Sequence, residues 1–333
     1  MKPSLFSRFA IIAATGLLIP LAAAAATVES RSETFDVAPG GELVVDLHRG
    51  SILVRGESGN AVRVDFTRTV SDSSKAREED YLKATPVTIE QRGNRVIVRQ
   101  TGREPGGWGK WFGGRKVEAT CTVVVPPHFD IVADTSGGRI DIRDITGTVS
   151  ADTSGGDIEC VNINGDVRVD TSGGTITLAD CHGELNADTS GGDIRVEASS
   201  GPLEADTSGG DIRVTQHTGE VDADTSGGWI QLRAIEGDVN AATSGGSIHA
   251  ELINAPVAGC RLSTSGGSIE LVVPADAAFT IDAATSGGHV TTEFDVPGHD
   301  PKNRTSLRGD INGGGPRVRL RTSGGGIRIR PRH

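Results

Sequence analysis

The chain has 333 residues, 46 of them glycine, with 4% aromatic side chains, and it carries 33 basic against 44 acidic groups for a net charge of −11. That acidic balance excludes a general phosphate-backbone reader such as a nucleic-acid-binding protein. Aromatics this scarce and glycine this frequent fit a fold that buries short aliphatic side chains repeated many times.

In chain order, Lys2 and Arg8 precede an apolar run from Phe9 to Ala26 that is interrupted at Pro20 and ends in an alanine tract. Residues 1–26 read as a secretory signal peptide, with the mature chain beginning near Thr27. An uncleaved anchor is the competing reading, disfavoured because the run is short and ends in small residues. No later apolar segment is long enough to span a bilayer, so the mature chain is expected not to cross the membrane with a helix.

Residues 27–134 form an N-terminal β region and cap, in which Leu43, Val45, Ile52, Val54, Val62, Val64 and Phe66 alternate with polar residues. A small helical insertion is predicted over 71–84, with Ser73 or Ser74 as N-cap and Pro86 beyond its end. Val87 to Gln100 reads as a hairpin turning at Gly93 and Asn94. The segment 103–116 then places Trp108, Trp111 and Phe112 among glycines and cations. Such aromatics suit a sugar ring, a headgroup interface or a partner pocket, or they fold back over the end of the molecule.

From residue 135 to 263 the sequence repeats. Thr-Ser-Gly-Gly begins at Thr135, Thr153, Thr171, Thr189, Thr207, Thr225 and Thr243, spaced by 18 residues, then at Thr264 and Thr285 after 21, and again at Thr322. A period this short marks a solenoid, in which no single coil can bury its apolar face alone. Counting each Thr as position 1, position 6 is Ile140, Ile158, Ile176, Ile194, Ile212, Ile230 and Ile248, and position 8 is again mostly apolar. Position 15 runs from Val149 through Val257, position 17 is mostly Ala, and position 11 adds Ile145, Ile163, Ile235 and Ile253 as a third apolar face. Period-2 alternation means strands. Each coil is therefore strand, glycine corner, strand, Ser-Gly-Gly corner, with glycine expected at both corners for its access to positive φ. Stacking at about 4.8 Å per coil makes seven coils a rod roughly 34 Å long, and the rule for parallel crossovers predicts a right-handed winding. If Ile52 takes position 6, then Asp46 to Ser51 is a degenerate form of the same corner and the solenoid begins there.

Trp229, at position 5, points outward and is placed to lie beneath the Trp-rich loop. Residues 264–333 hold longer coils, a polar loop from Phe294 to Ser306, and a basic end coil with Arg317, Arg319, Arg321, Arg328, Arg330 and Arg332. Those arginines either blunt an exposed sheet edge or form a foot that binds an anionic envelope polymer such as lipopolysaccharide or teichoic acid.

The ladder Asp134, Asp152, Asp170, Asp188, Asp206 and Asp224 is the strongest chemical candidate, because stacked carboxylates repel and need compensation. Either each accepts N–H bonds from its own Ser-Gly-Gly corner, or calcium bridges them with help from Asp157, Asp193 and Asp211. Cys121, Cys160, Cys181 and Cys260 all map to inward slots and read as small buried apolar residues, with a Cys160–Cys181 disulfide left open. The eight His show no metal-ligand spacing, Asp-Thr-Ser-Gly is not the Asp-Thr-Gly of aspartic proteases, and coils of constant length leave no long loops for a cleft. No catalytic residue, metal or cofactor is assigned.

The Pro-Gly-Gly-Glu-Leu opening at Pro39 to Leu43, the repeated Thr-Ser-Gly-Gly-x-Ile coils and the closing Gly-Asp-Ile-Asn-Gly-Gly-Gly together resemble the DUF4097 family of bacterial β-strand-repeat proteins. The resemblance implies an adhesin-like β-solenoid at the cell envelope and supplies no site residues. The expectation is an all-β, single-chain parallel β-solenoid, exported to the periplasm, envelope or medium, that binds envelope polysaccharide or protein without catalysis. Trp108, Trp111, Phe112, Trp229, Arg328 and Arg330 are its expected contacts. A self-associating filament built by end-to-end stacking is the alternative, and a polysaccharide-acting β-helix enzyme is a further one.

Overall fold

The computed structural model describes residues 26–103, 116–300 and 302–332, so the signal segment, the Trp108, Trp111 and Phe112 loop and His333 lie outside the described residues. Two 14-stranded sheets, mostly parallel, share one continuous apolar core. Each coil gives a seven-residue strand such as Ile158–Asn164 to one sheet and a five-residue strand such as Val167–Thr171 to the other. Successive coils pair in register, with Ile140 beside Ile158, Ile176, Ile194, Ile212 and Ile230 in turn. Like side chains thus sit over like, as the period requires.

Position 11 is not a third face. It belongs to the same strand as positions 6 and 8, because position 10 takes a positive φ: 62° at Asp144, 57° at Asn162, 55° at Asp180, 51° at Ala198, 56° at Gln216 and 52° at Ala234. One residue in the left-handed region drops out of the alternation, so positions 6, 8 and 11 all turn inward. Asp and Asn adopt this conformation readily, whereas Ala or Gln there costs about 1 kcal/mol. The coil after Thr243 shows the rule by its absence. Leu252 has no positive φ, the register shifts, and Leu252 rather than Ile253 fills the buried slot beside Ile235. Val257, expected inward at position 15, is 83% exposed; the longer coil delivers Cys260 to that slot, opposite Val239.

The two glycine corners have different causes. Gly147, Gly165, Gly183, Gly201, Gly219 and Gly237 at position 13 do have positive φ, from 110° to 156°. At the Ser-Gly-Gly corner the constraint is mostly proximity: from Gly156 onward, the second glycine is packed so tightly that a Cβ would strike the carbonyl of the matching glycine one coil below, as at Gly210 over Gly192. The position 1 threonines are buried and bridge these corners. Thr207 Oγ1, for example, donates to Gly192 O of the preceding coil (3.0 Å) and accepts from Gly210 N of its own (3.3 Å).

At both ends, spatial order departs from chain order. Strands Gly41–Leu47 and Ser51–Gly56 pair with Phe129–Thr135 and Ile140–Thr146, as the degenerate corner at Asp46 predicts. Their other sides are covered, in parallel, by the later strands Arg95–Gln100 and Lys116–Val125. Antiparallel strands close this end: Val87–Arg92 on one sheet, Ala61–Ser71 and then Thr27–Asp36 on the other. The helix Lys75–Ala84, with Ser74 at its N-cap position, is pinned to this cap by Tyr81, whose ring lies 5.6 Å from the buried Arg68 guanidinium. At the opposite end Arg317–Thr322 and Ile327–Arg332 slide between the coil of Gly259–Thr264 and Ile269–Pro274 and the coil of Phe279–Thr285 and Val290–Thr292. The antiparallel strand Ser306–Ile311 then closes one sheet.

The basic coil is therefore interior, not terminal. Its arginines do not blunt an edge, which corrects the sequence expectation. Equal coils stack on one another equally well, so the period alone does not say which neighbours which.

Candidate functional site

One outer row of the solenoid repeats a single chemistry at the coil pitch. Asp46, Asp134, Asp152, Asp170, Asp188, Asp206 and Asp224 stand in one parallel row that ends at Ala242. Asp46 was missed by the strict Thr-Ser-Gly-Gly pattern; it pairs with Arg99 at 3.1 Å. The six regular aspartates have no ion pair and no hydrogen bond to their carboxylates among the described residues. The corner N–H groups go elsewhere: the second glycine donates to the threonine hydroxyl, as Gly174 N does to Thr171 and Gly192 N to Thr189, and others donate to carbonyls of the preceding coil, as Gly209 N does to Ser190 O. The expectation that each carboxylate caps its own corner is thus overturned.

Without ion pairs, several of these carboxyls are held above their ordinary value. Partial burial, followed by Asp224, Glu204, Asp188 and Asp222, pushes Asp206 up to about 6. Burial and neighbouring carboxylates also raise Asp134, Asp152, Asp188 and Asp224. With Ser190, Ser208 and Ser226 on the same side, Asp188, Asp206 and Asp224 line an open groove of about 620 Å³. Of the further calcium donors expected, Asp157, Asp193 and Asp211 each commit one oxygen to the next coil's backbone, accepting the N–H groups of Thr175, Asp211 and Trp229 at 2.8, 3.0 and 2.9 Å. No group of three or more His, Cys, Asp or Glu is arranged to hold a metal ion among the described residues.

Trp229 is half-buried on the outer face, with the Arg213 guanidinium 5.0 Å from its ring. The remaining aromatic contacts expected, Trp108, Trp111 and Phe112, lie outside the described residues. Arg328 pairs with Glu293 at 3.0 Å and Arg330 with Glu270 at 2.7 Å, so the structure places both beside carboxylates and apart from Trp229. Sequence reasoning did not find Asp282, on which Arg308, Arg317 and Arg321 converge at 3.1, 2.8 and 2.7 Å. Burial alone would raise this carboxyl, but hydrogen bonds from Arg321, Arg317 and Arg308 outweigh it and hold it well below the usual range. Nothing in the local sequence brings Asp282 and Arg319 to adjacent positions; the intercalated coil does.

All four cysteines are buried free thiols, and the Cys181 Sγ donates to Cys160 O at 3.6 Å. Burial pushes Cys121 and Cys260 up to about 12 and Cys181 to about 11. These are packing residues, far from the reactive thiolate range. The core also hides His217 in a position 11 slot, with Nε2 2.9 Å from Gly201 O and Nδ1 without a partner among the described residues.

Two facing sheets of in-register coils, joined by glycine corners around an apolar core, define a parallel β-solenoid. Within that class the chain belongs to the Toastrack DUF4097 family, whose model matches residues 42–330. Solved structures that align with it include a candidate cell adhesion protein of Clostridium sporogenes, 11% identical with a TM-score of 0.23, covering 91% of this chain and 100% of that one. A candidate adhesin of Bacteroides fragilis is 11% identical with a TM-score of 0.34, covering 91% of this chain and 97% of its own. One of Parabacteroides distasonis is 10% identical with a TM-score of 0.37, covering 90% and 97%. No curated protein matches the chain.

Proposed function

We propose that the protein is an exported, non-enzymatic solenoid of the bacterial cell envelope that works by binding, as an adhesin-like or scaffold protein. The observation that carries this reading is the unbroken register from Asp46 to Asp224, in which one outer row offers a carboxylate at every coil. A periodic surface suits a repeating ligand or an extended partner, because each coil adds one equivalent contact. The amino-terminal apolar run and alanine tract support export.

Antiparallel strands at both ends weigh against a filament made by coil-on-coil stacking, since they interrupt the parallel register that stacking would continue. A glycan array together with purified envelope polymers tests the proposal, with light scattering as a check on mass. Binding without release of new reducing ends is the expected result. Cleavage of any polymer, or a mass that grows without limit, would replace this reading with the enzyme or the filament.

A further inference from the structure

The two outer faces at the intercalated end are neutralised unequally. On one, each arginine has its own carboxylate: Arg328 with Glu293, Arg330 with Glu270, and Arg332 with Glu251 at 3.1 Å. On the other, Arg308, Arg317 and Arg321 share the single carboxylate of Asp282. Beside them Arg261 and Arg319 are exposed, directly adjacent in the parallel register, and without an ion pair among the described residues. The row reads Asp222, Asn240, Arg261, Arg319, Asp282, Arg308 from strand to strand.

Like charges set side by side destabilise a sheet, so this pair is a cost that packing does not explain. The neighbouring acids do not relieve it. Asp238 is occupied by the N–H groups of Val257, Ala258 and Gly259, at 2.9, 2.9 and 3.1 Å, and Asp310 accepts the Thr280 hydroxyl at 2.7 Å. Arg261, Arg317 and Arg319 line one hollow of about 280 Å³ together with Gly259, Glu220 and Asp238.

We infer that Arg261 and Arg319, flanked by Arg317, form a binding site for the phosphate groups of an anionic ligand. Guanidinium forks match phosphate oxygens in bidentate fashion, and neighbouring strands about 4.8 Å apart let two forks engage one tetrahedral group. A carboxylate, with two oxygens in one plane, offers the pair fewer acceptors than a tetrahedral phosphate does. The inference gives a ligand class to the binding role proposed above and rests on that role.

The test uses the mature chain with inorganic pyrophosphate in calorimetric titration, and with phosphatidylcholine vesicles containing or lacking phosphatidylglycerol in flotation. Arg261→Ser combined with Arg319→Ser should weaken pyrophosphate binding about tenfold or more, because two charge-assisted hydrogen-bonding groups are lost. Neither residue holds an ion pair, so the thermal midpoint should not fall. Replacing both by Lys should recover only part of the affinity, since charge returns without the fork. Arg328→Ser, on the neutralised face, should bind as the parent does. Flotation only with phosphatidylglycerol would identify a headgroup phosphate, whereas pyrophosphate binding without flotation would identify a soluble or glycan-borne one.

Equal binding by the double Ser variant, equal weakening by Arg328→Ser, or preference for a carboxylate polymer such as polygalacturonate over pyrophosphate would each overturn the site. A chain that binds phosphate-free glycans but not pyrophosphate loses this site and keeps the binding role. One that binds neither loses both.

Discussion

Replacing Asp206 by Asn should stabilise the protein, and only at neutral pH. Its carboxyl rises from an ordinary 3.8 to about 6 because it is partly buried and faces Asp224, Glu204, Asp188 and Asp222. The folded chain therefore holds a proton that the unfolded chain has already released between those values. The resulting penalty is absent below 3.8, grows as pH rises, and is complete above about 6. Taken whole, that rise corresponds to about 3 kcal/mol, which solvent screening of a partly exposed side chain reduces to about 1 kcal/mol. Coulomb's law agrees in size, giving about 0.9 kcal/mol in water for each neighbour about 4.8 Å away. Asn keeps the shape and cannot ionise. By scanning calorimetry the variant should melt about 2–4 °C above the parent near pH 7.5, should match it near pH 3.5, and should lose part of its advantage in high salt. A lower melting point near neutrality, or the same gain at both pH values, would refute the account of an uncompensated carboxylate row.

Thr207→Val should cost about 1–3 kcal/mol in urea titration, because Gly192 O and Gly210 N both lose their partner, whereas Thr207→Ser should cost much less. Gly210→Ala should destabilise by about 3 kcal/mol through its collision with Gly192 O, while Gly209→Ala, whose Cβ would meet nothing closer than 3.6 Å, should be tolerated; equal effects would show that the corner is governed by dihedral preference instead. Burial lowers the His217 pKa below 6.5, so the unfolded chain takes up the proton first and stability present above 6.5 is lost as pH falls below it. His217→Ile, matching Ile235 in the same row, should flatten that loss between about pH 7 and 5, and an unchanged slope of melting temperature against pH would exclude His217 as its source.

The rod itself could be read from the chain, because a parallel ladder makes one residue's position predict the next coil's. The row of isoleucines at position 6 and the in-register aspartates needed no more than the period of 18. What stayed hidden depends on conformation or contact rather than on spacing. The turn at position 10 is signalled by Asp144, Asn162 and Asp180, residues that favour positive φ, but Ala198, Gln216 and Ala234 adopt it only because neighbouring coils enforce it. The Ser-Gly-Gly glycines suggest positive φ, yet the closeness of the coil below explains most of them. The candidate anion site depends on Arg261 meeting Arg319, residues whose adjacency follows from a coil inserted out of chain order. No local pattern encodes that insertion, since every coil offers the same mating surface.

That insertion makes the molecule behave at this end like a bolt drawn through two plates. Cutting away residues 317–332 removes the strands that, among the described residues, join Gly259–Thr264 and Ile269–Pro274 to Phe279–Thr285 and Val290–Thr292, so one small excision opens both sheets at once. Protease attack at this point would not trim the rod by a coil; it would part the antiparallel pair of Phe279–Thr285 and Ser306–Ile311 from the stack and leave a raw, adhesive β edge behind it.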